Sequence, residues 1–153
     1  VGINRARVAA ALGLGPQALA GVHQVHSPDV VVAEGPLPSP RPRADAIVTR
    51  VPGLAVTVLT ADCQPVLLAD PEAGVVGAAH AGWRGALAGV LEATVEAMEG
   101  LGAARSRVRA AIGPTISQRA YEVGPELMDE VLADDRGAAR FFAQGRGDRL
   151  LFD

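Results

Sequence analysis

Short apolar runs separated by turn residues set the pattern of the middle of the chain. Residues 29–33, 46–49, 54–60, 65–69 and 75–79 are rich in Val, Ile and Leu. Runs this short, bounded by turn residues, read as buried strands rather than helices. The stretch 35–43 carries Pro36, Pro38, Pro40 and Pro42. It reads as a stiffened loop and not as a domain linker, because strand-like sequence resumes at once. Pro52-Gly53 marks a tight turn, and 70–74 a hairpin-type connection.

Helical periodicity is clearest over 84–99, where Leu87, Val90, Leu91, Val95 and Met98 form one stripe and Glu92, Glu96 and Glu99 fall largely outside it. Gly100 and Gly102 are placed to close that helix. A short capped helix is expected over 4–14, ended by Gly15-Pro16. Another is expected over 125–133, with Pro125 suited to its first position. Residues 108–112 read as a strand before the turn Gly113-Pro114. The segment 134–149 is polar and Gly-rich, and 150–152 reads as a final strand. Strands outnumber helices yet both are present, which favours a mixed α/β sandwich over an all-β barrel.

Composition narrows the function classes. The 153 residues suit one domain, and 49% hydrophobic against 20% charged residues is ample for a packed core. The net charge of −3, without any basic block, argues against nucleic-acid and membrane-surface partners. No apolar run approaches the roughly 20 residues that span a bilayer. Arg5, Arg7, the apolar stretch from Val8 and Ala18-Leu19-Ala20 imitate a secretory leader. Gly13, Gly15 and Pro16 interrupt it, so a cytoplasmic protein, monomeric or a small homo-oligomer, is expected. One Cys excludes an internal disulfide framework and any all-Cys zinc site. With three His, the chain also falls short of a full laccase copper set, which combines a His₂Cys site with a separate His-rich cluster.

The candidate chemistry sits where strands end. Cys63 lies in Thr60-Ala61-Asp62-Cys63-Gln64-Pro65, between one strand and the next, where side chains leave the core and meet in clefts. A lone Cys is commonly a small buried hydrophobe, but the ionisable Asp62 beside it and Pro65 beyond it favour function. His80 ends an apolar run and opens His80-Ala81-Gly82-Trp83-Arg84-Gly85 before the long helix. A strand, a Gly turn and a helix start present backbone N–H groups that favour an anion. Arg84 opposes the helix dipole there, which makes sense if it grips a phosphate or carboxylate; a solvated Arg is the equal alternative. Trp83 reads as a hydrophobic plug beside the site. His23 and His26, three apart, would face opposite sides of a strand. His26 is nearer the break at Ser27-Pro28, so it is the one grouped with Cys63 and His80. Three ligands from three strand ends, with a fourth position open, are the pattern of catalytic zinc, and copper could take the same ligands.

Gln24-Val25-His26, Thr60 to Val66 and His80 to Gly85 resemble the YfiH-type laccase-domain family, variously labelled polyphenol oxidase, purine nucleoside phosphorylase and peptidoglycan editing factor. Ala44-Asp45-Ala46, Ile112-Gly113-Pro114 and Tyr121-Glu122-Val123-Gly124 extend the match. The resemblance implies a metal held by His26, Cys63 and His80, and a layered α/β/β/α sandwich with mixed sheets, related to toxin-type cysteine hydrolases, in one domain over 1–153. Ser27 departs from the family's usual Gly after the histidine. Family members run longer at both ends, so part of the substrate pocket is expected outside this chain.

Four functions follow from these residues. The resemblance implies a zinc-dependent enzyme acting on purine nucleosides by phosphorolysis (adenosine, inosine, guanosine, methylthioadenosine) or by adenosine deamination. Arg84 and the helix start would cradle phosphate, an open zinc site would direct hydroxide at C6, and Asp62 would relay a proton or orient a ligand. Alternatively Cys63 is a nucleophile with His80 as its base, giving an amide hydrolase of the peptidoglycan-editing type. Copper-dependent phenol oxidation ranks lower, since at most one copper fits. A metal-binding module without catalysis is the fourth.

Overall fold

The computed structural model describes residues 2–153, which group into two compact units, 2–114 and 115–153. In the first, α1 (Gly2–Ala11) is followed by a 3-10 turn and β1 (Leu19–Gly21). Then come β2 (Val30–Val32), β3 (Ala46–Thr49), β4 (Ala55–Thr57), β5 (Gln64–Asp70) and β6 (Val75–Ala81). Helices α2 (Trp83–Leu87) and α3 (Val90–Gly100) precede β7 (Arg109–Ile112).

Five of these strands form one mixed sheet in the order β2-β3-β6-β5-β7, and β1 pairs in parallel with β4 in a second. Side chains alternate across the large sheet with the period of two that strand geometry imposes. Ala46, Val48, Val66, Leu68, Val75 and Ala79 point to one face, where Val90 and Met98 of α3 cover them. Ile47 and Ala78 point to the other, against Ala20, Val22 and Leu54 from the neighbourhood of the β1–β4 pair. Helix, sheet and sheet are therefore stacked, and the expected mixed α/β architecture is what the chain adopts, with its five-stranded sheet mixed. Gly77 lets α3 lie close on β6: a Cβ there would stand 3.3 Å from Met98 Sδ and 3.2 Å from Val48 Cγ1.

The helix expected over 84–99 is two helices. Gly89 stands at φ +86 between them, a left-handed conformation that Gly adopts without the Cβ clash other residues incur. The apolar stripe runs through this break, which is why periodicity alone joined the halves. Gly102, at φ +100, follows the end of α3 as expected. β1 falls where the sequence imitated a leader; Leu19 and Ala20 are buried in the sheet.

In the second unit, β8 (Glu122–Val123), α4 (Pro125–Asp134), β9 (Phe142–Gln144) and β10 (Leu150–Phe152) give a small antiparallel sheet in the order β8-β10-β9. Phe142 stacks on Phe152 with centroids 4.6 Å apart. Two of these strands lie in stretches that the sequence reading left without strand structure, because two or three residues carry no readable alternation.

Candidate metal centre

Strand register brings the site together. β5 and β6 are antiparallel with Gln64 opposite Ala81 and Pro65 opposite His80, so Cys63, one residue before β5, lies beside Gly82, one residue after β6. β3 and β6 are antiparallel with Ala46 opposite Ala79. That pairing sets Asp45 against His80, whose N–H donates to the Asp45 carbonyl at 2.7 Å. β2 runs parallel to β3 with Val30 opposite Ala46, which carries the preceding loop, including His26, back over the same sheet end.

His26, Cys63 and His80 meet there, each offering a ligand atom, with all three atoms within 4.8 Å of one another. The Cys63 sulfur is 3.9 Å from His26 Nε2. The imidazoles meet edge to face with centroids 4.9 Å apart. Their burial grades from His80, buried, through Cys63 to His26, exposed, so the cluster opens on one side to solvent.

Asp45 organises two of the three ligands. Its Oδ1 lies 2.8 Å from His80 Nδ1, leaving Nε2 of that ring for the cluster. Its Oδ2 accepts from the backbone N–H of Val25 at 2.9 Å and of Ser27 at 2.7 Å, and from the Ser27 hydroxyl at 3.3 Å. Between those two amides His26 sits at φ +62, a left-handed backbone that costs a non-glycine residue free energy unless its surroundings hold it. Burial alone would push the Asp45 carboxyl upward, but the bonds from Ser27, His80, Val25 and His26 outweigh it and hold the group below the ordinary carboxylate range. A fully buried acid needs this many partners.

Gly82 is the floor of the cluster. A Cβ there would stand 2.7 Å from His26 Cδ2 and 3.1 Å from Cys63 Sγ. Gly85 similarly lets α2 approach the Ser27 carbonyl, which a Cβ would meet at 3.2 Å. Burial, then the charges of Asp62 and Asp45, push the Cys63 thiol above its ordinary range.

The other expected residues are placed differently. Asp62 is exposed beside Cys63 and acts on it through its charge. Arg84 is exposed, with its guanidinium carbon 4.3 Å from the centre of the Trp83 ring. Trp83 is half-buried under that cation. The helix it opens has only five residues, so the anion-attracting dipole expected of a long helix at this point is short. His23 is exposed and bridges to Arg43, apart from the three-residue cluster. Sequence reasoning missed the part played by Asp45; an acid set between alanines at the head of an apolar strand was the signal available.

The donor set suits a metal ion. Two imidazoles and a thiolate are ligands zinc takes with one position left open, and a carboxylate on the far nitrogen of a ligand His is the usual support of such a ring. The sequence profile of the family described as multi-copper polyphenol oxidoreductase laccase matches residues 1–153. The chain belongs to this laccase-domain family. Its laccase-domain relatives include a purine nucleoside phosphorylase of Streptomyces griseus, 55% identical over 133 residues and covering 86% of this chain. A purine nucleoside phosphorylase of Deinococcus radiodurans is 47% identical over 148 residues, 97% of the chain. The crystal structure of a Bacillus licheniformis hypothetical protein, YfiH, superposes with a TM-score of 0.88 at 26% identity over 99% of the chain. The chain spans 54%, 53% and 60% of those three proteins' own lengths. Among the described residues, no helix is long and apolar enough to cross a membrane.

Proposed function

We propose that this chain carries the metal centre of an enzyme acting on purine nucleosides, with zinc held by His26, Cys63 and His80. The observation that carries the reading is the convergence of those three ligand atoms within 4.8 Å at one end of the five-stranded sheet. The names of the Streptomyces and Deinococcus relatives supply the substrate class. When bound, zinc supplies Lewis-acid polarisation. The protein's own part is to fix the ligands, through Asp45 and Gly82, and to leave one side of the cluster open to a small molecule.

Phosphorolysis is the favoured reaction. The C1′–N9 bond breaks, a phosphate oxygen forms the new bond to C1′, and the base departs with the electron pair and takes up a proton. Arg84, exposed two residues after Gly82, is the candidate to hold phosphate by a bidentate contact. Asp62, exposed beside Cys63, is the candidate proton carrier. Adenosine deamination is the second reaction this centre suits.

One observation favours the hydrolase reading: Asp45 lies 2.8 Å from His80 Nδ1, and the Cys63 sulfur lies within 4.8 Å of a His80 ring nitrogen, the spatial order of an acid, base and nucleophile triad. The thiol chemistry runs against it. A nucleophilic Cys works as a thiolate in an electropositive setting, and here burial and two carboxylates push the thiol upward. A bound cation reverses that balance by stabilising the thiolate directly.

The test combines turnover with thiol labelling on zinc-loaded protein given inosine or adenosine and inorganic phosphate. Free base and pentose 1-phosphate are expected, with a chelator stopping turnover and making Cys63 reactive to alkylation. Alkylation of Cys63 at the same rate with and without chelator, together with no nucleoside turnover, would refute the reading.

A further inference from the structure

We infer that Asp45 is the positioning residue of the centre: a single carboxylate that selects the donor nitrogen of His80 and fixes the backbone of His26. The inference rests on the metal reading above and adds to it a residue outside the ligand set. Its two oxygens divide the work. Oδ1 faces His80 Nδ1 at 2.8 Å, and an ionised carboxylate only accepts, so Nδ1 carries the proton and Nε2 keeps its lone pair toward the cluster. Oδ2 gathers the N–H groups on either side of His26, Val25 at 2.9 Å and Ser27 at 2.7 Å. That clamp holds the left-handed residue, at φ +62, with its ring against His80. The buried and the exposed imidazole are thus set by the same side chain.

An amide of the same shape cannot do both tasks. If Asn at position 45 turned its oxygen to the loop, its NH₂ would face His80 Nδ1. The ring would then have to accept there and carry its proton on Nε2, the nitrogen needed for the metal. If it turned the other way, its NH₂ would meet two N–H donors and the loop would lose its clamp. Charge and lone-pair count therefore decide the role of position 45, and not its volume.

The experiment compares wild type, Asp45→Asn and Asp70→Asn by zinc affinity in chelator competition, by imidazole nitrogen NMR of the metal-free proteins, and by urea unfolding. Wild type is expected to show the Nδ1–H form at His80. Asp45→Asn is expected to show the Nε2–H form or a mixture, with zinc affinity lowered on the order of 10- to 100-fold, the range for loss of such support. Asp70→Asn, which alters a buried carboxylate at the opposite end of β5, is expected to keep both the tautomer and the affinity. An Asp45→Asn protein that is less stable but keeps the Nδ1–H form and wild-type affinity would reduce Asp45 to a structural residue. If Asp45→Asn does not fold, the wild-type tautomer decides alone, and Nε2–H there overturns the inference. A wild type with the Nδ1–H form that takes up no zinc would refute the metal reading, and the tautomer of Asp45→Asn would still decide the role of Asp45.

Discussion

Gly82 shows how closely individual residues are fitted around the cluster. Its missing side chain is occupied space: a Cβ would lie 2.7 Å from the His26 ring and 3.1 Å from the Cys63 sulfur, and the first of these cannot be met without movement. Gly82→Ala is therefore expected to push His26 and Cys63 apart. We expect zinc affinity in chelator competition to fall about ten-fold or more, as for other disturbances around a ligand set, while overpacking costs a typical 1–3 kcal/mol of stability. Unchanged affinity in a folded variant would mean that the ligands do not need this floor. At this scale the sequence was informative where chemistry was local. His26, Cys63 and His80 each stand at a break between apolar runs, and breaks are where side chains leave the core. Asp45 is no less exactingly placed, but its role depends on β3 lying against β6 in one register. No pattern within the strand itself encodes that pairing.

Elements were legible in proportion to their length and periodicity. β5 and β6 extend the expected runs 65–69 and 75–79 by a residue or two. The expected strand 54–60 shrinks to β4, Ala55–Thr57, because its later residues leave the sheet to form the loop leading to Cys63. The stripe over 84–99 was real, yet it continued through a chain reversal of hand at Gly89. A glycine at φ +86 leaves no mark on an apolar pattern. That break separates the short α2, which starts beside Gly82, from α3, which packs the core through Met98 and Val90. The two short strands β8 and β9 escaped because their pairing to β10, and not their own sequence, defines them.

Across the first unit, the large sheet is tied at the end remote from the centre by a second buried carboxylate. Asp70, at the end of β5, accepts from the N–H groups of Glu72 and Ala73 and so shapes the turn into β6. It also accepts from Ala104 N–H and from Arg107, at 3.2 Å from Nε and 2.8 Å from Nη2. The Arg107 contact, followed by the Ala104 amide, outweighs burial and holds the Asp70 carboxyl down at about 2. A lowered folded-state value means stability that is present above the ordinary carboxylate range and lost as the pH falls through about 2. Urea unfolding of wild type should therefore lose stability between about pH 5 and pH 2 more steeply than Asp70→Asn. Parallel curves for the two proteins would contradict the assignment.

The proposed centre is one ion sitting among three side chains that the chain brings together from separate strand ends. Elemental analysis of the purified protein beside His80→Ala addresses it most directly. One equivalent of zinc per chain in the wild type, lost in the variant, is the expected result. Equal metal content in the two proteins, or none in a wild type purified and dialysed with zinc present, would contradict it.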